Sequence, residues 1–430
     1  MTTVERAMKE NIYFDNASTT WPKPGPVYDA MNATIRDLGA SPGRGQYALS
    51  WDADRLVGDT RRRLATLFNH TGGAERVVFA HNGTDALNIA LFGLICPGDH
   101  VVTTRLEHNS VLRPLLHLRD TQHVRLTFIS RDREGYLRLE ELERALKTKT
   151  KAVVVNHASN VLGSVQDLAT IGRLTRQAGA LFVVDASQTA GMVEIDMEML
   201  DIDVLAFAGH KGLFGPMGIG ALVVRAGVDP APFRHGGTGL DSRSRRQPEL
   251  FPHRLEAGTL PLPAIAGLGA ALKWLEALGR EEAGEQASPA PLRDVCRTAV
   301  RHIGESHARH RRRLDELGTI DGVTVYGPAP DKTRLSTLSF NVEGIGAELG
   351  GGILDADFNI CARAGLHCAP LVHEDEGTVP AHGGAIRLAP GLFTSDEDLQ
   401  QLFQSVAALA EIGRIGRRDA RQGGLRYGIT

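Results

Sequence analysis

The stretch Asp203-Val-Leu-Ala-Phe-Ala-Gly-His-Lys-Gly-Leu-Phe-Gly-Pro-Met-Gly-Ile-Gly-Ala-Leu-Val-Val-Arg225 decides how the chain is read. Val204 to Ala208 and Ile219 to Val224 are short apolar runs, the pattern of two buried strands. Between them Gly209, His210 and Lys211 open a loop rich in Gly and Pro. A lysine fenced by glycines at the end of a buried strand cannot simply extend into water, and burial lowers the pKa of such an amine. On this segment alone, an ordinary loop lysine is the simpler reading.

Upstream, Ala180-Leu-Phe-Val-Val-Asp185-Ala-Ser-Gln188 is a second apolar run that closes on a carboxylate. An aspartate and a lysine on consecutive strand ends suit pyridoxal phosphate. The amine forms a Schiff base, and the carboxylate keeps the pyridine nitrogen protonated so that the ring can act as an electron sink. Asp185 taken alone reads equally as a helix cap.

The chain has 430 residues, enough for a large core and two domains. Apolar residues make up 42% and charged residues 23%, the balance of a globular protein. A net charge of -3 gives no reason to expect nucleic acid or membrane as a partner. The first ten residues lack the apolar core of a signal peptide, and no apolar run is long enough to span a bilayer. Cys96, Cys296, Cys361 and Cys368 are too scattered for a disulfide framework or a zinc site. A cytoplasmic setting without a bound metal is the expectation.

Further strands are predicted at Ile12 to Asp15, Arg76 to Ala80, His100 to Thr104, Val124 to Ser130, Ala152 to Val155 and Leu335 to Asn341. Helical patterns alternate with them, for example at Trp51 to Asn69, Glu140 to Lys147 and Leu168 to Gln177. Alternating β and α argues for a mostly parallel sheet with helices on both faces, which binds ligands beyond the carboxyl ends of its strands. Asn82, Gly83 and Thr84 lie at one strand-to-helix junction, where free N–H groups favour phosphate. A plain helix N-cap there is equally consistent. Asn16 to Gly45 is predicted to be a long loop, and the basic run from Arg309 to Arg313 a solvated helix face. The large domain is placed at 16–262, the small domain at 1–15 and 263–413, and a loosely ordered extension at 414–430.

Taken together, the segments resemble fold-type I pyridoxal phosphate enzymes of the class V aminotransferase family. Within it they are most like the short-loop type of the cysteine desulfurase and selenocysteine lyase branch. The likeness is carried by Tyr13 to Thr20, Gly83-Thr84, Glu107-His108-Asn109, Ser159 to Gly163, Asp185 to Gln188, Gly209-His210-Lys211, Glu256 to Thr259 and Arg363 to Ala369. It implies an α/β fold with a mostly parallel seven-stranded sheet and a smaller α+β C-terminal domain. It also implies that Lys211 holds the cofactor, His108 stacks on the ring and assists proton transfer, Asp185 pairs with the ring nitrogen and Gln188 reaches the ring hydroxyl. Gly83, Thr84 and His210 would contact the phosphate, with Thr259 donated by a partner subunit of a homodimer. Asn160, Arg363 and Arg387 would bind the substrate. Arginine suits this task because its planar fork matches a carboxylate. Without the resemblance, His108 reads as a surface histidine, Asn160 as a turn residue, and Arg387 as the partner of a structural carboxylate.

Cys368 stands in Ala364-Gly365-Leu366-His367-Cys368-Ala369-Pro370, a loop after a strand, whereas Cys96, Cys296 and Cys361 are predicted to be small buried hydrophobes. A free thiol is only about 3% thiolate at pH 7, and His367 and Arg363 are placed to raise that fraction. The resemblance implies conversion of L-cysteine to alanine, with a persulfide left on Cys368 and passed to an acceptor protein or thiol. The alternatives are a selenocysteine lyase or another C–S lyase, a low-activity cofactor-binding scaffold, and an aminotransferase proper. Three positions depart from the common pattern. Ala208 stands where relatives often carry a phosphate-binding hydroxyl, Leu366 where many have a second histidine, and Leu260 to Pro263 where a polar pair is common.

Overall fold

A computed structural model of the chain describes residues 11–43, 45–240, 243–284 and 290–421. A short first strand, β1 (Ile12–Tyr13), precedes the strands of the main sheet. These are β2 (Val77–Ala80), β3 (His100–Thr104), β4 (Arg125–Ile129), β5 (Ala152–Asn156), β6 (Leu181–Asp185), β7 (Val204–Ala208) and β8 (Gly220–Val224). Their order across the seven-stranded sheet is β2-β8-β7-β6-β5-β3-β4. The pairs β3–β4, β3–β5, β5–β6 and β6–β7 are parallel, and β8 runs antiparallel to both its neighbours.

The apolar runs of these strands follow from their burial on both faces. Val153, Val155, Leu205 and Phe207 point into one core with Leu64, Ile171 and Ile265. Ala152, Val154, Val204 and Ala206 point into the other with Leu87, Leu91, Val111 and Leu115. The period of two sends alternate residues to opposite helical layers.

A smaller antiparallel sheet is built from β9 (Val323–Tyr326), β10 (Leu338–Val342), β12 (Arg363–Gly365) and β13 (Ala385–Leu388), in the order β12-β13-β10-β9. The intervening β11 (Ile360–Cys361) pairs in parallel with β1, which ties the chain's start to the small sheet. The helix Leu262–Ala283 lies against the large sheet, with Ile265, Leu268, Leu272 and Leu275 in its core. The helix Leu292–Asp315 runs from that core, at Ala299 and Ile303, to the small-sheet core at Leu314.

Several expectations are corrected. The segment Asn16 to Gly45 is not all loop, because Gly25–Ala33 is a helix with Val27 buried. Its prolines sit in the first turn, where a missing N–H costs nothing. Arg311 is buried rather than solvated, donating to the Thr337 carbonyl and to Asp315. Cys96 is exposed, because the helix before it ends at Leu94 and the chain turns outward. Residues 414–421 continue the helix Asp396–Arg421 instead of forming a loose extension, and residues 422–430 lie outside the described residues. Among the described residues no helix is long and apolar enough to cross a membrane.

Gly220, at the start of β8, packs against the Asn82 turn. A Cβ there would lie 2.4 Å from the Asn82 carbonyl carbon. Gly220→Ala is expected to destabilise the fold by about 1–3 kcal/mol, since backbone must move to admit the methyl group. The midpoint of urea unfolding checks this.

Candidate active site

The carboxyl ends of the parallel strands meet at a cavity of about 210 Å³. Register places Asn156 of β5 beside Asp185 of β6, and Asp185 beside Ala206 of β7. Lys211 follows β7 by three residues and lines the cavity with Asp185 and His108. Burial pushes the Lys211 amine down to about 8, against the pull of the Asp185 carboxylate. Its side chain keeps some solvent contact only because the cavity opens to the outside.

His108 caps the helix Asn109–Gln122, and its Nδ1 accepts from the Ser110 amide at 3.0 Å. The proton of the neutral ring therefore lies on Nε2. Burial lowers this imidazole to about 4, so it is uncharged at neutral pH. Asp185 is buried and accepts from the Ser187 amide at 2.9 Å. Gln188 lines the cavity but donates to the Ala17 carbonyl at 3.1 Å.

Gly83 and Thr84 begin the helix Gly83–Leu94 at the cavity wall, with Asn82 as its cap. The first N–H groups of a helix have no intrahelical partner and favour an anion. A Cβ on Gly83 would sit 2.7 Å from Ser187 Oγ and 3.3 Å from the Ala208 amide nitrogen, so glycine lets this turn close tightly on the strand ends. His210 also lines the cavity, and its buried Nδ1 has no hydrogen-bond partner among the described residues. Ala208 supplies no hydroxyl here, but the nearby Ser187 does.

The small sheet supplies the cationic wall. Arg363 of β12 and Arg387 of β13 are directly opposite each other in the antiparallel ladder, and both line the cavity. Like charges so placed repel. Arg387 is 1% exposed and donates to Asp15 Oδ1 at 2.7 Å, Ser18 Oγ at 2.8 Å and the Asn160 carbonyl at 3.1 Å. Arg363 Nη1 donates to the same Ser18 Oγ at 3.0 Å, and its Nη2 approaches Cys368 Sγ at 3.6 Å. The thiol thus lies one guanidinium away from the cavity.

His367 does not supply the positive charge expected beside Cys368. It is buried and held well below the usual imidazole range, and its ring faces His373 and the Arg363 carbonyl. Asn160 donates its side-chain N–H to the His367 carbonyl at 2.7 Å. Thr259 is exposed and outside the cavity formed by this one chain.

Sequence reasoning assigned no role to Asp15, Ser18, Lys23 or Glu107. Ser18 ties both arginines together and donates to Asp15 at 2.9 Å. Lys23 donates to the His210 carbonyl at 2.6 Å, and burial lowers its amine to about 7. Glu107 is fully buried, accepts from Thr104 and from the Asn156 amide, and is pushed up to about 8. Each lies in or next to a quoted motif, but its partners are far away in sequence.

The sequence pattern of the class V aminotransferases matches residues 12–402. The chain belongs to that family. Members of the family use pyridoxal phosphate, and the residues around the cavity fit it: an amine, an acidic partner across the cavity, a neutral imidazole and a helix start for a phosphate. The chain is 33% identical over 412 residues to a probable cysteine desulfurase of Methanothermobacter thermautotrophicus, covering 94% of this chain and 96% of that protein. It is 29% identical to a cysteine desulfurase of Haloferax volcanii, covering 93% of this chain and 90% of the other. The apo structure of a cysteine desulfurase from Thermococcus onnurineus superposes with a TM-score of 0.83 at 31% identity, over 94% of this chain and 96% of that one.

The lowered Lys211 pKa makes a signed prediction for cofactor-free protein. An unfolded lysine holds its proton up to its ordinary pKa of 10.5, whereas folded Lys211 releases it near 8. The burial penalty is therefore complete below pH 8 and fades as pH rises towards 10.5. Lys211→Met is expected to unfold later than wild type at pH 7, by about 1–3 kcal/mol. The gap should close above pH 10, as read from thermal midpoints across pH.

Proposed function

We propose that this class V aminotransferase family member is a cysteine desulfurase of the short-loop type. In this reading it converts L-cysteine to L-alanine and leaves a persulfide on Cys368. The observation that carries the reading is the contact of Arg363 with both the cavity and the Cys368 thiol. An aminotransferase has no use for a thiol there. The loop that holds Cys368 is only Leu366 to Ala369, between β12 and the helix Pro370–Glu376.

Pyridoxal phosphate supplies the electron sink that acidifies the substrate's α-carbon. The chain's residues do the rest. Arg387 and Arg363 receive the substrate carboxylate, which completes the charge balance that Asp15 and Ser18 begin. Lys211, whose titration burial brings close to neutral pH, takes the α-proton in its deprotonated form, and neutral His108 carries protons from its own place in the cavity wall. The guanidinium of Arg363 lies at the sulfur of Cys368, which reacts as its thiolate. That thiolate forms an S–S bond to the substrate sulfur as the C–S bond breaks. The bonding pair stays with the carbon skeleton, which takes up one proton at Cβ, regains one at Cα and leaves as alanine. The sulfur then passes from Cys368 to an acceptor thiol. A homodimer fits the exposed apolar side chains of Tyr47, Leu49 and Trp51, which a second copy would cover, and would bring Thr259 to the partner's cavity.

Intact mass after exposure to cysteine is expected to show one added sulfur on wild type and none on Cys368→Ser, with alanine formation lost in the variant. Alanine formation that survives in Cys368→Ser would overturn the reading. Ser18→Ala removes the hydroxyl shared by the two arginines. It is expected to raise KM for cysteine about fivefold with kcat little changed, the worth of a hydrogen bond of about 1 kcal/mol. Steady-state alanine release measures both constants.

A further inference from the structure

His367 and Cys368 have φ values of 51° and 57°, two consecutive non-glycine residues in the left-handed region. Each costs on the order of 1–2 kcal/mol, and such strain persists only where the surroundings over-determine it. The backbone of this turn is held at both carbonyls, that of His367 by Asn160 and that of Cys368 by the Asn109 amide at 2.7 Å.

The His367 ring is held as well, by a chain of hydrogen bonds with one possible direction. His367 Nε2 lies 3.3 Å from the Arg363 carbonyl, which can only accept, so Nε2 carries the hydrogen. The Nδ1 of a neutral His367 is therefore an acceptor, and it lies 3.1 Å from His373 Nε2, which donates. His373 Nδ1 then accepts from the Thr378 hydroxyl at 2.8 Å. All three side chains are buried, and burial keeps both rings neutral. Arg363 stands at the far end of this chain twice. Its carbonyl takes the last hydrogen, and its guanidinium reaches the Cys368 sulfur.

We propose that His373, outside the cavity lining, is a positioning residue: its Nε2–H locks the His367 ring and so the left-handed turn that presents the Cys368 thiol to Arg363. The inference rests on the reading of Cys368 as the residue that takes the substrate's sulfur. Without the N–H of His373, the buried His367 Nδ1 loses its donor and the ring keeps one of its two anchors. The turn relaxes, and the thiol drifts from the guanidinium at its sulfur.

The test uses the holoenzyme at pH 7 and reads the rate of iodoacetamide alkylation at Cys368 by peptide mass, beside alanine formation. His373→Leu is expected to slow Cys368 alkylation and to lower kcat, each about tenfold, the effect of one buried hydrogen bond. Alkylation of exposed Cys96 should stay within about twofold, because that thiol lies outside the chain of hydrogen bonds. His373→Gln keeps an N–H near the same place and is expected to recover both rates to within about threefold of wild type. Thr378→Val, which removes only the end of the chain, is expected to give an intermediate loss and serves if His373→Leu does not fold. Wild-type alkylation in both His373→Leu and Thr378→Val, or a loss in His373→Gln as large as in His373→Leu, overturns the proposal. Absence of a persulfide on wild-type Cys368 would instead overturn the functional reading, while the alkylation ratios alone decide the role of His373.

Discussion

Two guanidinium groups facing each other across one β-ladder are the constraint that the site is built to satisfy. Arg363 and Arg387 are direct cross-strand partners, and Arg387 is almost wholly buried. Two like charges at that spacing destabilise a sheet unless anionic and acceptor groups surround them. The chain's start provides these groups. Its first strand pairs with β11, Asp15 bridges to Ala389, and Ser18 then reaches both arginines. The compensation is partial, since one carboxylate faces two cations. In the proposed reading the substrate's carboxylate would complete it, and substrate affinity would then be linked to the stability of this corner.

Depth supplies the second half of the chemistry. The cavity lies beyond strands buried on both faces, so every titratable group that reaches it is partly stripped of water. Desolvation then acts on each group in its own direction. It lowers Lys211, His108 and His210 and raises Glu107. The same burial that makes the sheet stable brings the amine's titration close to neutral pH and leaves the imidazole uncharged there. Asp185 opposes the shift at Lys211 and keeps the amine from falling further.

The thiol is treated differently. Cys368 is half-buried and sits on a strained turn fixed from three directions, with a guanidinium at its sulfur. The adjacent histidine contributes shape and hydrogen bonds, because its burial rules out the cation that its position in the sequence suggests.

The main sheet was legible because its strands are continuous apolar runs: Leu181–Asp185 and Val204–Ala208 are strands with the bounds that the pattern predicts. Lys211, Asp185, Gly83 and Thr84 follow directly from those strands, since a ligand site lies beyond their carboxyl ends. The helix Gly25–Ala33 was hidden because prolines and glycine at its start resemble loop chemistry. Local composition also failed at Arg311 and Cys96, whose burial depends on what packs above them. Sequence by itself determined the strand ends, the amine and the carboxylate, because short-range periodicity and strand-end position fix them. Only the tertiary structure decided that Ser18 joins two arginines more than 340 residues away and that His373 aligns His367. Contacts between segments so far apart leave no trace in spacing, since they exist only after two sheets have packed together.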